Sequence, residues 1–411
     1  MSLCSSTLCS SNKYKTAREA TFGEFNKKWS LSAMVSTDND ESKFISGVKG
    51  NVRIPQKFCY YYSQYELENF IIPIWKKVKN IIIEETSYDV GTVGKQKFYK
   101  FSNYCKSMKK DVLITSCVHA REVATVTSTI AFIDNLITSS SPLLNVFNFH
   151  VCFIMNPRGY YLDSASTENL VNESGNSYRK NGNPGKPGVS NETILSENLG
   201  IDLNRNCYNK SLKQCYKKNI PDDYKDYYLF ELNKKNCIPE NHDTYAGTSP
   251  NSEIEIKNFI DYTTKREFLI YMDVHAYSNE ILVESADDGK SGYKYPVKLA
   301  DVKKKYKNLE LNFSKELIAA NKAKGGRRED YMTFHSNAGD IGYLCYGCIN
   351  DYLCYEYLEH GNKLNTFTFE IGNDKYDRFY PSEFEMVDII YNFNKSITKI
   401  LSHYYMLILS E

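Results

Sequence analysis

The sequence predicts an α/β fold, and three observations carry that reading. Val112-Leu-Ile-Thr-Ser-Cys-Val118 is a strongly apolar run rich in β-branched residues, and after a short polar interval Val123 to Ile137 follows with a 3.6-residue period: strand, turn, helix. Further buried-strand runs recur at Phe149 to Met155, Phe268 to Val274 and Asn365 to Glu370, and helical patterns lie between and after them. Three of the strand-like runs lead into a polar residue: His119, His275 and Glu370. Open α/β sheets gather their sites at the carboxyl ends of strands.

At 411 residues the chain is long enough for a large buried core, and 42% apolar with 25% charged residues is an ordinary globular composition. The net charge of +1 gives no electrostatic case for nucleic acid or an anionic membrane. The 12 cysteines form no paired C-x-x-C set, so a structural zinc ribbon is not expected; disulfides would depend on the compartment. Met1 to Lys13 has neither a charged n-region nor an apolar h-region and is read as carrying no signal peptide, and no apolar run reaches the ~18 residues of a membrane span. A soluble monomer is expected. Sequons at Asn172, Asn191, Asn209, Asn312 and Asn394 come cheaply in an Asn-rich chain, so a cytoplasmic or a secreted location stays open.

Taken in order, residues 1–57 are polar with little periodicity and are expected to form a flexible or loosely docked extension. Globular patterning starts at Phe58. Tyr65 to Trp75 predicts a helix, and Ile81 to Glu84 with Gln96 to Phe101 an antiparallel strand pair. The strand–His119–helix unit follows. Asn156-Pro-Arg-Gly159 is a turn signal, and residues 160–245, rich in Asn, Gly, Lys and Tyr, predict a long loop region of the kind that is usually functional. Ser249 to Tyr262 opens with Pro250 and acidic Glu253 and Glu255, a helix start. Helices are expected at Tyr295 to Lys305 and Phe313 to Lys322 with a loop between, and a long helix at Ser382 to Leu409.

His119 and Glu122, three residues apart across a strand-to-helix turn, can converge on one point. Zinc takes such an N/O pair but needs a third ligand and an open position for water. His-x-x-Glu alone arises by chance in many chains, so the reading rests on what accompanies it.

What accompanies it is a series of motifs in order: His119-Ala-Arg-Glu122, Asn156-Pro-Arg-Gly159, Tyr178-Arg-Lys-Asn181, Gly200-Ile-Asp-Leu-Asn-Arg-Asn206, Tyr245-Ala-Gly-Thr-Ser-Pro-Asn-Ser-Glu-Ile-Glu255, His275-Ala-Tyr-Ser278, Tyr343-Leu-Cys-Tyr-Gly-Cys-Ile-Asn-Asp351 and Phe367-Thr-Phe-Glu-Ile371. With these the chain, from about Phe58 to its end, resembles the zinc carboxypeptidases of the pancreatic A/B type, the M14 metallopeptidases. The resemblance implies one catalytic domain, residues 58–411, with a central mixed β-sheet flanked by helices. It implies one zinc per chain held by His119, Glu122 and His275, the His₂Glu set known for carboxypeptidase A, and hydrolysis of the C-terminal bond of peptides or proteins. Glu370 would be the general base and Arg179 would polarise the scissile carbonyl. Asn204, Arg205 and Tyr343 would hold the substrate carboxylate, with Tyr277 and Phe379 lining the pocket. Asp202 matches a carboxylate that orients the first histidine, although an Asp capping a turn gives the same local pattern.

The match thins at specificity. Asn350 stands at the pocket-base position, where A-type enzymes carry an apolar residue and B-type enzymes an acid. Asp287 and Asp288 lie near an acid of the basic-specific branch, one residue out of register. Asn176 replaces an Arg of many relatives. The extension is shorter than the inhibitory prodomain of pancreatic relatives, so no comparable self-inhibition is expected. The sequence around the first ligands does not match the cytosolic branch that trims tubulin. Two other classes compete: a catalytically inactive peptide-binding member of the fold, which would usually have lost a ligand or the base, and an amidase or deacylase, which would need substrate contacts other than Asn204 and Arg205.

Overall fold

A computed structural model describes residues 44–46, 53–55, 61–91, 94–105, 108–139, 141–165, 178–208, 240–287, 295–322, 332–336, 347–373 and 379–410. Its centre is an eight-stranded mixed sheet. In chain order the strands are β3 (Ile81–Asp89), β4 (Lys95–Asn103), β5 (Lys110–Ser116), β6 (Phe147–Cys152), β7 (Phe268–His275), β8 (Glu280–Leu282), β9 (Thr333–His335) and β10 (Asn365–Glu370). Across the sheet they run β3-β4-β6-β5-β7-β10-β8-β9. β6, β5, β7 and β10 are mutually parallel, β3 and β4 add an antiparallel pair at one edge, and β8 turns antiparallel against β10. Two three-residue strands, β1 (Phe44–Ser46) and β2 (Arg53–Pro55), pair antiparallel apart from this sheet.

Alternation along the central strands divides the core into two layers. Val112 and Ile114 of β5, Ile270, Met272 and Val274 of β7, and Phe367 and Phe369 of β10 face one side. There they meet α1 (Val123–Thr138) and α7 (Glu383–Ser410), with Ile130, Ile133, Phe393 and Ile397 fully buried. Leu113 and Tyr271 point the other way, toward α4 (Ile254–Thr264) and α6 (Ile349–Glu359). Each such aliphatic or aromatic side chain contributes roughly 1.5–3 kcal/mol by leaving water. Burial on both faces explains why β5 and β7 read as largely apolar runs.

The helix over 64–75 begins with a reciprocal cap: Ser63 accepts from the Glu66 N–H and Glu66 accepts from the Ser63 N–H. Asn156-Pro-Arg-Gly159, read as a turn, opens α2 (Pro157–Ala165) instead. The Asn156 side chain accepts from the Gly159 N–H, and Pro157 takes the first helical position, where its missing N–H costs nothing. A second short helix, α3 (Asn191–Ser196), capped by Ser190, lies within the expected loop region. The two helices expected at 295–305 and 313–322 are one, α5 (Leu299–Lys322): Val302, Tyr306, Leu309 and Phe313 form one buried stripe through the expected loop, and no Gly or Pro interrupts it. β8 and β9 are three residues each, too short to show a period. No helix among the described residues is long and apolar enough to cross a membrane. The six cysteines among the described residues are free thiols.

Candidate active site

β5, β7 and β10 are neighbours and run in parallel, so their carboxyl ends come together. His119 lies three residues beyond β5, His275 ends β7 and Glu370 ends β10, directly across from His275 in the register. The Ile371 N–H donates to the His275 carbonyl and locks that pairing. Glu122 sits just before α1, where the chain turns from strand to helix.

The imidazoles of His119 and His275 and the carboxylate of Glu122 converge, each offering a ligand atom within 4.8 Å of the others, all buried. His119 Nδ1 lies 2.6 Å from Glu122 Oε1 and His275 Nδ1 3.0 Å from Glu122 Oε2. Both rings turn their other nitrogen to a carboxylate. His119 Nε2 is 3.4 Å from Asp202 Oδ1, an ion-pair distance without hydrogen-bond geometry, and His275 Nε2 is 2.8 Å from Asp273 Oδ2. Two imidazole nitrogens and one carboxylate are a donor set that zinc accepts.

The electrostatics point the same way. Burial pushes the Glu122 carboxyl up, but the two imidazoles beside it outweigh burial and hold it below the usual carboxylate range. Burial works against a charged His275, and Asp273 and Glu122 reverse it, raising the imidazole well above its ordinary value. Asp202 is held well below the usual range: its burial is outweighed by Arg179 and His119. All three shifts favour positive charge where the side chains meet.

The Arg179 guanidinium is anchored on Asp202, through Nε at 3.0 Å and Nη2 at 2.9 Å, while Nη1 reaches within 4.0 Å of Glu122. Its backbone is tied to the loop from His119 to Glu122, because the Ala120 N–H donates to the Arg179 carbonyl. Asn204 accepts from the Ile349 N–H through Oδ1, and its Nδ2 lies 3.4 Å from His275 Nε2, the ring nitrogen that also faces Asp273. Arg205 donates through Nη1 to the Asn204 carbonyl and to Cys348 Sγ. Gly347 makes this close approach possible. It has φ +70°, and a Cβ there would fall 2.4 Å from the Arg205 carbonyl oxygen.

Tyr277 packs edge-on against Phe379, 5.2 Å between ring centres, and Phe379 in turn lies under the Arg121 guanidinium. Asn350 is buried and donates to Thr368 Oγ1, two residues before Glu370 on the same strand. Asp287 bridges to Lys298 through its backbone. Tyr343, Asn176 and Asp288 lie outside the described residues. The residue that sequence reasoning missed is Asp273. Period-2 alternation was its available signal, since a residue two before a strand-borne ligand shares the ligand's face.

A zinc carboxypeptidase family model matches residues 93–396, most of the chain. The protein belongs to the zinc carboxypeptidase family. The chain is similar in fold to a crystal structure of thrombin activatable fibrinolysis inhibitor, with 19% identity and a TM-score of 0.59 over 91% of this chain and 79% of that one. Carboxypeptidase A from Helicoverpa armigera matches with 16% identity and a TM-score of 0.58 over 91% and 78%. Bovine thrombin-activatable fibrinolysis inhibitor, in complex with tick carboxypeptidase inhibitor, matches with 20% identity and a TM-score of 0.57 over 84% and 98%. No curated relative matches by sequence. Zinc carboxypeptidases are zinc-dependent and act on peptide C-termini, and the His119–Glu122–His275 group is this chain's candidate for the zinc.

Proposed function

We propose that this family member is an active metallocarboxypeptidase that removes the C-terminal residue of peptides or proteins, with one zinc held by His119, Glu122 and His275. The observation that supports the reading is this buried trio, with Glu370 in register beside His275 on the neighbouring parallel strand. A zinc ion held there would act as a Lewis acid on the scissile carbonyl and make water a better nucleophile.

The chain's own residues supply the rest. Glu370, half-buried at the strand end, takes the proton of the attacking water and returns it to the leaving amine. Arg179, held on Asp202, presents fixed donors to the carbonyl oxygen as negative charge develops there. The Asn204 Nδ2 group and the Arg205 guanidinium hold the substrate carboxylate, a charge-assisted contact that a neutral terminus cannot reproduce. Tyr277 and Phe379 supply an aromatic wall, and the family resemblance assigns Tyr343, outside the described residues, to the carboxylate clamp.

Incubation of the zinc-loaded protein with a peptide library tests the proposal. Release of single free C-terminal amino acids, abolished by chelation and restored by zinc, is the expected result. A zinc-loaded protein that binds the peptides and releases nothing would instead identify an inactive peptide-binding member.

A further inference from the structure

Asp273 is buried to 1% exposure in the middle of the sheet, two residues before His275 and on the same face of β7. Its Oδ2 lies 2.8 Å from His275 Nε2 and its Oδ1 accepts from the Thr115 hydroxyl at 2.6 Å. Thr115 is its direct neighbour across β5 and β7. Thr115 Oγ1 also stands 2.8 Å from the Tyr271 hydroxyl. An ionised carboxylate only accepts and Thr115 has one hydroxyl proton, so Tyr271 donates to Thr115 and Thr115 to Asp273. The donors run in one direction, from Tyr271 through Thr115 to a carboxylate that accepts from His275.

Among the described residues no Lys or Arg lies within ion-pair distance of Asp273; its charged partner is His275. The other histidine is arranged differently. Asp202 is bound twice by Arg179, which neutralises it, and stands 3.4 Å from His119 Nε2. A buried carboxylate with no guanidinium to share its charge directs that charge onto the imidazole it contacts.

We propose that Asp273 is a positioning residue of the metal centre: it fixes His275 in the tautomer that carries the proton on Nε2 and presents Nδ1 to the ion, and its charge makes that nitrogen the stronger donor of the two histidines. Thr115 and Tyr271 hold the carboxylate in place. The inference rests on the proposed zinc site and adds a division of labour within it, with His119 set mainly by geometry and His275 by charge. Carboxylate–histidine pairs of this kind orient metal-bound imidazoles and raise their basicity.

Zinc affinity, measured by chelator competition, tests it on the full chain. Asp273→Asn keeps the size and removes the charge, and it should weaken zinc binding roughly 10- to 100-fold while the zinc-free protein keeps its circular dichroism. A folded Asp273→Asn protein that binds zinc as tightly as the parent overturns the proposal and leaves the zinc site standing. A parent that binds no zinc overturns both. Should the variant fail to fold, nitrogen-15 NMR of the zinc-loaded parent decides. His275 is expected with a metallated Nδ1 and an exchange-protected, downfield Nε2 proton; a proton on Nδ1 with zinc on Nε2 contradicts the assignment.

Discussion

His119 Nδ1 and His275 Nδ1 face each other at 3.2 Å although 156 residues separate them in the chain. Glu122 closes the third side, with one oxygen toward each ring. Two lone pairs at that distance repel unless a cation or a proton lies between them, and the surrounding carboxylates supply the field that draws one in.

Zinc should therefore bind at one ion per chain and stabilise the fold, by about 2.7 kcal/mol when free zinc is 100-fold above its dissociation constant. His119→Ala leaves two ligands and should lose both the ion and the stabilisation. Metal content after dialysis and a melting curve with and without zinc check this; an alanine variant that retains its full complement of zinc would falsify the ligand assignment.

Glu370 separates chemistry from binding. Glu370→Gln keeps the shape of the strand end and should lower kcat by roughly 10²–10⁴-fold, the usual worth of a general base, with zinc content unchanged. Near-parental turnover would mean that another group takes the proton.

Gly347 links backbone geometry to the proposed substrate clamp. Alanine there meets a positive φ and the Arg205 carbonyl at once, so Gly347→Ala should cost on the order of 1–3 kcal/mol and lower kcat/KM by displacing Arg205. Urea unfolding and steady-state kinetics measure the two effects. Parental values in both would show that the segment yields without disturbing Arg205.

Away from the metal site, Asp163 gives a pH signature. Burial pushes its carboxyl up to about 7 against the lowering hydrogen bonds from Tyr380 and the Tyr178 N–H. Between the ordinary value of 3.8 and about 7 the unfolded chain has released a proton that the folded chain keeps. This group's contribution to stability is thus full below the unfolded value and is lost as pH rises through the folded one. Asp163→Asn should flatten that part of the stability–pH curve, and an identical slope in parent and variant would contradict it.

Much of this was legible in the sequence. The strand-turn-helix around His119 and the strand ending in His275 announced themselves through largely apolar runs, as burial on both faces requires, and the strand ending in Glu370 through its alternating Thr and Phe. α2 was hidden because Asn-Pro-x-Gly serves both a turn and a capped helix start, and tertiary packing decides between them. α5 was split in the reading because its exposed Lys- and Asn-rich surface obscured one buried stripe. Asp273 was overlooked because an acid inside an apolar strand has meaning only through Thr115 on the neighbouring strand and the imidazole it supports.

The proposed exopeptidase action depends on Arg205 and Asn204 holding a free carboxylate beside the proposed zinc ligands. The most direct measurement is kcat/KM for one peptide with a free C-terminus and the same peptide amidated, on the parent and on Arg205→Ala. An amide lacks the charge and presents a donor to a group that also donates. The parent should cleave the acid and not the amide, and Arg205→Ala should lose most of that preference through a slower reaction of the acid. Equal rates for acid and amide with the parent protein would contradict it, even if zinc and Glu370 behave as described.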